Sequence, residues 1–223
     1  MVDPWEKKPV RIVCISDTHS MHEEIDDIPD GDVLVHAGDC LGRGTLFELD
    51  DFNYWLGELP HAHKILIAGN HDWCFERYPD KARPLVTNAV YLEESGVTID
   101  GIEFWGSPYT PRFRDWAFNV DRGEKIASHW AKIPETTDVL ITHGPPEGIF
   151  DEVVGPDCGM SVGCADLAKR IDSLHLKAHI FGHIHEAYGY GVRAKDGVKF
   201  ANASICDKRY RAIRKPIVID LVA

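Results

Sequence analysis

Short runs rich in β-branched and other apolar residues recur along this chain, at residues 10–15, 32–35, 64–67, 97–104, 138–141, 178–181, 198–201 and 217–222. Runs of this length and composition read as buried strands. Five of them end alike, with residues that bind metals and phosphates just past the carboxyl end: Asp17-Thr18-His19, Gly38-Asp39, Gly69-Asn70-His71-Asp72, His143-Gly144 and Gly182-His183-Ile184-His185. In open α/β sheets the ligand crevice lies at the carboxyl ends of the strands, so loops far apart in sequence can converge on one site.

The connections fit such a sheet. Leu46, Leu49, Phe52, Leu56 and Leu59 recur at three- and four-residue spacing, the stripe of an amphipathic helix ending before Pro60. Residues 121–133 and 161–174 are further helix candidates, and the closer strands near residues 97–107 and after Tyr188 suggest hairpins. The expected class is α/β with mixed sheets. No repeat or linker-like stretch interrupts the chain, so residues 1–223 are expected to form a single domain.

The formal net charge of −12 disfavours long nucleic acid, whose binding needs Lys and Arg to displace counterions. A small anionic substrate held by local positive charge fits better. Cys14, Cys40, Cys74, Cys158, Cys164 and Cys206 contain no C-x-x-C pair and are expected to be free thiols. No apolar run approaches the roughly 20 residues that cross a bilayer, and the first eight residues lack the apolar core of a secretion signal. A cytoplasmic location without membrane attachment is the expectation; oligomeric state is not legible.

Each motif alone has an ordinary reading. Asp-x-His and Gly-Asn-His-Asp are common turn and cap sequences, and a lone histidine is more often a hydrogen-bonded core residue. Five together, each after a strand, point to a metal site. Imidazoles and carboxylates without cysteine suit manganese, iron, zinc or cobalt better than calcium, and there are enough ligands for two ions. Gly38, Gly69, Gly144 and Gly182 would let the backbone turn tightly beside a metal or phosphate.

Spanning residues 17–185, the five motifs resemble the ordered motif set of the calcineurin-like metallophosphoesterases. The resemblance implies a four-layer α-β-β-α sandwich with two mixed sheets, and two divalent ions that activate a water as hydroxide against a phosphate ester. Manganese is the expected metal, with iron, zinc, cobalt and magnesium as alternatives. Carried over by position, Asp17, His19, Asp39 and His185 hold one ion, and Asp39, Asn70, His143 and His183 the other, with Asp39 bridging. His71 then contacts the substrate phosphate together with Asn70 and protonates the leaving oxygen.

Further segments are similar to the metallophosphoesterase-domain proteins of animal brain and their microbial relatives: Ser107-Pro108-Tyr109, Asp115-Trp116-Ala117-Phe118-Asn119, Thr142-His143-Gly144-Pro145-Pro146, Val162-Gly163-Cys164-x-Asp166-Leu167 and Asn202-Ala203-Ser204. That branch implies phosphodiester and nucleotide substrates, cyclic nucleotides included. Some animal members lack a histidine of the Gly-His-x-His motif and are weakly active; His183 and His185 are both present here, so an active, fully metallated protein is expected. The protein Ser/Thr phosphatases of the superfamily carry Gly-Asp-x-x-Asp-Arg-Gly, whereas Gly42 stands here in place of the second carboxylate, which ranks protein phosphatase below nucleotide phosphodiesterase. Phosphomonoesterase and a non-catalytic protein-binding scaffold also compete with the diesterase reading. Arg43 matches the arginine of that motif and is a candidate phosphate contact. Residues 109–122 combine aromatics and arginines that would suit a nucleobase, although Trp116 and Phe118 by themselves read as core. His22, His36, His61, His63, His129, His175 and His179 match no motif.

Overall fold

A computed structural model describes residues 9–154 and 159–222; Cys158 and the first eight residues fall outside them. In chain order the strands are β1 (Val10–Ile15), β2 (Val33–His36), β3 (His63–Leu66), β4 (Val90–Tyr91), β5 (Ser95–Ile99), β6 (Ile102–Ser107), β7 (Thr110–Pro111), β8 (Asn119–Val120), β9 (Val139–Thr142), β10 (Glu152–Val153), β11 (Met160–Ser161), β12 (Ala178–Phe181), β13 (Gly189–Val192), β14 (Lys199–Asn202) and β15 (Ile217–Leu221). The α-helices are α1 (Leu46–Glu58), α2 (Trp73–Arg77), α3 (Pro79–Leu85), α4 (Glu124–Trp130) and α5 (Ala165–Ile171).

Two large sheets dominate, with strand orders β15-β1-β2-β3-β4 and β13-β14-β12-β9-β6-β5. Both have parallel centres; β15 runs antiparallel to β1 at one edge of the first sheet, whose other edge strand β4 is parallel to β3, and β5 and β13 run antiparallel to β6 and β14 at the two edges of the second. The side-chain alternation of the strands explains the layering. Ile12, Cys14, Val33, Val35 and Ile65 face Phe104, Val139, Ile141, Ile180 and Ala201 in a core between the sheets. The alternate residues Val13, Ile15, Leu34 and Leu66 pack outward on Leu49, Phe52 and Leu56 of α1, Phe75 of α2 and Ala82 of α3. On the other side, Leu140, Phe181 and Phe200 pack on Ile126 and Trp130 of α4 and Leu167 and Ile171 of α5. Strands apolar on both faces thus require helices on both outer faces, which yields the four-layer α-β-β-α sandwich.

Helix ends follow local chemistry. Thr45 caps α1 by accepting from Glu48 N, while the Glu48 side chain returns to the Thr45 amide at 2.8 Å, a reciprocal capping box. Helices α4 and α5 are shorter than the 121–133 and 161–174 expected. Gly123, with φ 83°, precedes α4, and the Cys164 sulfur accepts from Leu167 N at the start of α5. The run at 97–104 is not one strand. Asp100 and Gly101, with φ 49° and 78°, turn it into the β5–β6 hairpin. No helix among the described residues is long and apolar enough to cross a membrane. The five described cysteines are buried free thiols.

Candidate metal centre

The loops that follow β1, β2, β3, β9 and β12 meet where the carboxyl ends of the two sheets come together. Ser16 bridges to Ser204, Asp17 N donates to Gly38 O at 2.9 Å, and Gly182 N donates to His143 O at 2.9 Å. Asp17, His19, Asp39 and His183 all have left-handed backbone, with φ of 52°, 45°, 53° and 70°. Non-glycine residues avoid this region at a cost of order 1 kcal/mol, and such strain clusters at functional sites. Two glycines make room for the carboxylates. A Cβ at Gly182 would run into Asp17 Oδ2 and Ser16 Oγ, and one at Gly69 into the amide and Oδ1 of Asp39.

Ligand atoms gather in three overlapping groups: Asp17, His19 and His185; His19, Asp39 and His71; Asp39, His143 and His183, each with its donor atoms within 4.8 Å of one another. Asp39 is common to the last two. Its Oδ1 accepts from His71 N at 2.7 Å, while Oδ2 lies 3.3 Å from His143 Nε2 and 3.9 Å from His19 Nε2. Asn70 Oδ1 is 3.0 Å from His143 Nε2, and Asp17 Oδ1 is 3.2 Å from His185 Nε2.

The rings are oriented from behind. His143 Nδ1 donates to Ala37 O and His185 Nδ1 to Asp207 O, each at 3.0 Å, which fixes the tautomer that turns a bare Nε2 inward in the neutral ring. His19 Nε2 lies 3.1 Å from His185 Nε2, and the buried His19 Nδ1 has no partner among the described residues. Two imidazole lone pairs this close need a proton or a cation between them. The donor set therefore fits divalent metal: buried carboxylates and imidazole nitrogens converge with too few protein hydrogens to satisfy them.

Charge follows the same arrangement. Burial pushes His19 and His183 down to about 4. Burial also works against a charged His143, but the Asp39 and Asp17 carboxylates outweigh it and raise it to about 9. Burial would raise Asp39, yet His143, His19 and His71 hold it well below the usual carboxylate range.

Several groups that support the centre escaped the sequence reading. Asp17 Oδ2 accepts from Ser204 Oγ at 2.9 Å, and Ser204 Oγ lies 2.8 Å from Asn202 Oδ1, a role for Asn202-Ala203-Ser204 beyond resemblance. Asp72, wholly buried, accepts from Gly69 N at 2.7 Å and Leu41 N at 2.9 Å, tying the loops after β2 and β3 together. His36 Nε2 donates to Thr18 Oγ1, which donates to Cys40 O; His179 Nε2 donates to Thr142 Oγ1, which donates to Gly144 O. The same relay thus backs one ligand loop on each sheet, and only its spatial pairing reveals it.

His71 sits at the mouth. Its Nδ1 donates to Gly42 O at 3.0 Å, so a backbone carbonyl occupies the place of the missing carboxylate, and its ring stacks on Trp116 at 4.4 Å with 23° between planes. The expectation that Trp116 and Phe118 are core holds for Phe118, 3% exposed, and fails for Trp116, which lines the cleft. The chain turns at Phe118, φ 55°, so the two aromatics face different ways. The cleft, of about 260 Å³, is lined by His19, Asp39, Asn70, His71, His183 and His185, and above them by Phe113, Arg114, Trp116, Glu186, Lys208 and Tyr210. Arg43 is exposed on the loop before α1, its amide held by Glu48 at 3.0 Å, and is not among the residues lining the cleft.

Comparison with known proteins agrees with this geometry. The chain is 42% identical to human metallophosphoesterase domain-containing protein 1 over 99% of its own length and 76% of that protein. It is 38% identical to the Caenorhabditis elegans UPF0046 protein K07C11.7 over 94% of its length and 74% of that protein. The crystal structure of TT1561 of Thermus thermophilus has the same fold at a TM-score of 0.60 with 13% identity, covering 96% of this chain and 99% of that one. Residues 10–187 match the family model of the calcineurin-like phosphoesterases, and the chain belongs to that family.

Proposed function

We propose that the protein is a dinuclear-metal phosphodiesterase acting on small nucleotide or cyclic-nucleotide diesters, as a single metallophosphoesterase domain in the cytoplasm. Asp17, His19, Asp39 and His185 would hold one divalent ion and Asp39, Asn70, His143 and His183 the other, with manganese the preferred metal. Bound ions would supply Lewis-acid neutralisation of phosphate oxygens and lower the pKa of water.

His71 carries the acid step. Its Nδ1 proton is committed to Gly42 O, so the proton given to the departing oxygen is carried by Nε2. The carbonyl fixes the orientation of the ring without adding a charge to the site. Asn70 orients the phosphate beside it. The single observation that carries the diester reading is the aromatic wall: Trp116 stacks on His71, and Phe113 and Tyr210 line the same cleft, which suits a flat base next to the scissile phosphate. Arg43 would meet the substrate only if a bulky one reached the loop before α1.

Phosphomonoesterase activity would use the same floor and is the second reading. The test is a comparison of kcat/KM for cyclic nucleotides, linear dinucleotides, nucleoside monophosphates and a phosphoserine peptide with manganese, zinc and magnesium, metal content measured in parallel. Diesters should lead. A higher kcat/KM on the phosphopeptide or the monoesters overturns the assignment.

A further inference from the structure

Two cations at the cleft have no part in the mechanism above. Arg114 and Lys208 both line it, and neither makes an ion pair or hydrogen bond with a described residue; the Arg114 guanidinium lies over the Phe113 ring, 5.1 Å from its centroid. Three nearby arginines that do not line the cleft are spent otherwise, while the Arg209 side chain, also outside the cleft lining, has no ion pair with a described residue. Arg112 Nε meets Asp121 at 2.6 Å, Arg211 Nε meets Asp207 at 2.9 Å, and Arg214 Nη1 donates to Cys206 O at 2.8 Å. In a chain of net charge −12, unpaired cations left facing a cleft are informative.

Both cations are carried on loops anchored to the metal centre itself. Ala117 N donates to Asn70 O at 3.2 Å and Phe113 N to Asn119 Oδ1 at 2.8 Å, fixing the turn that bears Arg114. Asp207 O accepts from His185 Nδ1 at 3.0 Å and from Tyr210 N at 2.8 Å, fixing the turn that bears Lys208. The backbone that bears each cation is therefore held at a set position relative to the ligands, while the charged side chains themselves keep no polar partner among the described residues.

We infer that Arg114 and Lys208 form a second anion subsite beside the metal centre. The favoured substrates are then linear phosphodiesters that carry another anionic group, such as a terminal phosphate, in preference to cyclic mononucleotides with a single charge. This substrate class rests on the phosphodiesterase reading; the subsite does not. Glu186 lines the same cleft with no hydrogen bond or ion pair to a described residue and carries the opposite charge, so it provides a control of opposite sign.

Calorimetry on the manganese-loaded protein with thymidine 5′-monophosphate and thymidine 3′,5′-bisphosphate separates the two questions. One charge-assisted contact corresponds to about tenfold or more in affinity, so the bisphosphate should bind at least about tenfold tighter at low salt. The ratio should fall toward one in the Arg114→Gln/Lys208→Gln double variant and in high salt, and rise in Glu186→Gln. Equal affinities in the unmodified protein, or a preference that the double variant retains with its metal content intact, would overturn the subsite. Hydrolysis of a thymidine dinucleotide with and without its 5′-phosphate tests the substrate class: faster cleavage of the phosphorylated form supports it, and no cleavage of either removes the diester reading while the affinity ratio still decides the subsite.

Discussion

Asp17, buried beneath the floor of the cleft, and Lys208, on its rim, differ in burial, hydrogen bonding and backbone. Asp17 is wholly buried, takes hydrogen bonds from Ser204 Oγ and His183 N, and sits on left-handed backbone. Lys208 lies on a turn after Cys206 and makes no hydrogen bond or ion pair with a described residue. Floor charges are positioned by the protein's own hydrogen bonds and change little with the bound molecule. Rim charges wait for a partner. In the proposed reading the metal chemistry belongs to the floor and the choice of substrate to the rim.

The largest effect that would break this division is at Asp39. Its Oδ1 holds the His71 amide and its Oδ2 faces His143, so Asp39→Ala removes the proposed bridge and leaves a partly buried N–H without its acceptor, worth about 1–3 kcal/mol. Metal should fall to none per chain and activity to background. Two ions retained in that variant, measured by elemental analysis, would dismantle the ligand assignment.

Next in size is His71→Ala, which should keep its metal and slow hydrolysis by the ~10²–10⁴-fold of a positioned acid. The loss belongs to basic leaving groups. A nitrophenolate departs without a proton, so its ester should suffer little, whereas a ribose alkoxide should suffer much more. Equal losses on both substrates would turn His71 into a phosphate or metal contact, a reading its place in the group with His19 and Asp39 allows.

The floor was legible from sequence because its residues sit at fixed places after strands whose composition announces them. Asp17, His19, Asp39, Asn70, His143, His183 and His185 all come together, and the two sheets follow from runs apolar on both faces. What escaped depends on partners distant in sequence. Nothing around His36 or His179 indicates that each donates to a threonine beside a ligand, and Asp72 reads as a turn residue although it ties two loops together. Trp116 was misread because size alone argues for burial; the left-handed turn at Phe118 decides which aromatic enters the core.

A smaller effect, in stability, separates the buried histidines by sign. Burial pushes His36 and His179 down to about 3, and each has a buried Nδ1 with no acceptor, so an added proton would be unsatisfied. Below about pH 6.5 the unfolded chain takes up protons that the native state refuses, and stability should fall by up to about 1.4 kcal/mol per pH unit for each. His143, raised to about 9, behaves oppositely: in metal-free protein its contribution is complete below about 6.5 and is lost as pH rises through 9. Metal-free protein should therefore be most stable near neutrality, and metal should remove the alkaline loss while leaving the acid one. Denaturation midpoints from pH 4 to 9.5, with and without manganese, provide the check; an alkaline loss that metal does not change would take His143 out of the metal set.

The smallest predicted effect lies at Trp116, where floor and rim touch. Its ring stacks on His71, while Gly42 O holds only the Nδ1 edge of that imidazole. A single hydrogen bond leaves a ring free to tilt about it, so in the proposed mechanism the stacked indole, with the His19 ring edge-on at 4.6 Å, would hold Nε2 toward the leaving oxygen. Aromatic pairs of this kind are worth about 0.5–1.5 kcal/mol, which converts to roughly 2- to 12-fold in rate. Trp116→Leu keeps an apolar side chain on the wall and should lower kcat within that range for a dinucleotide, with little change for a nitrophenyl ester whose departure needs no acid. If Trp116 instead serves the substrate as a stacking surface, the same variant should raise KM for nucleotides and leave kcat and the leaving-group dependence alone. Steady-state kinetics on the two esters thus tell whether the indole belongs to the fixed floor, through His71, or to the selective rim, through the base.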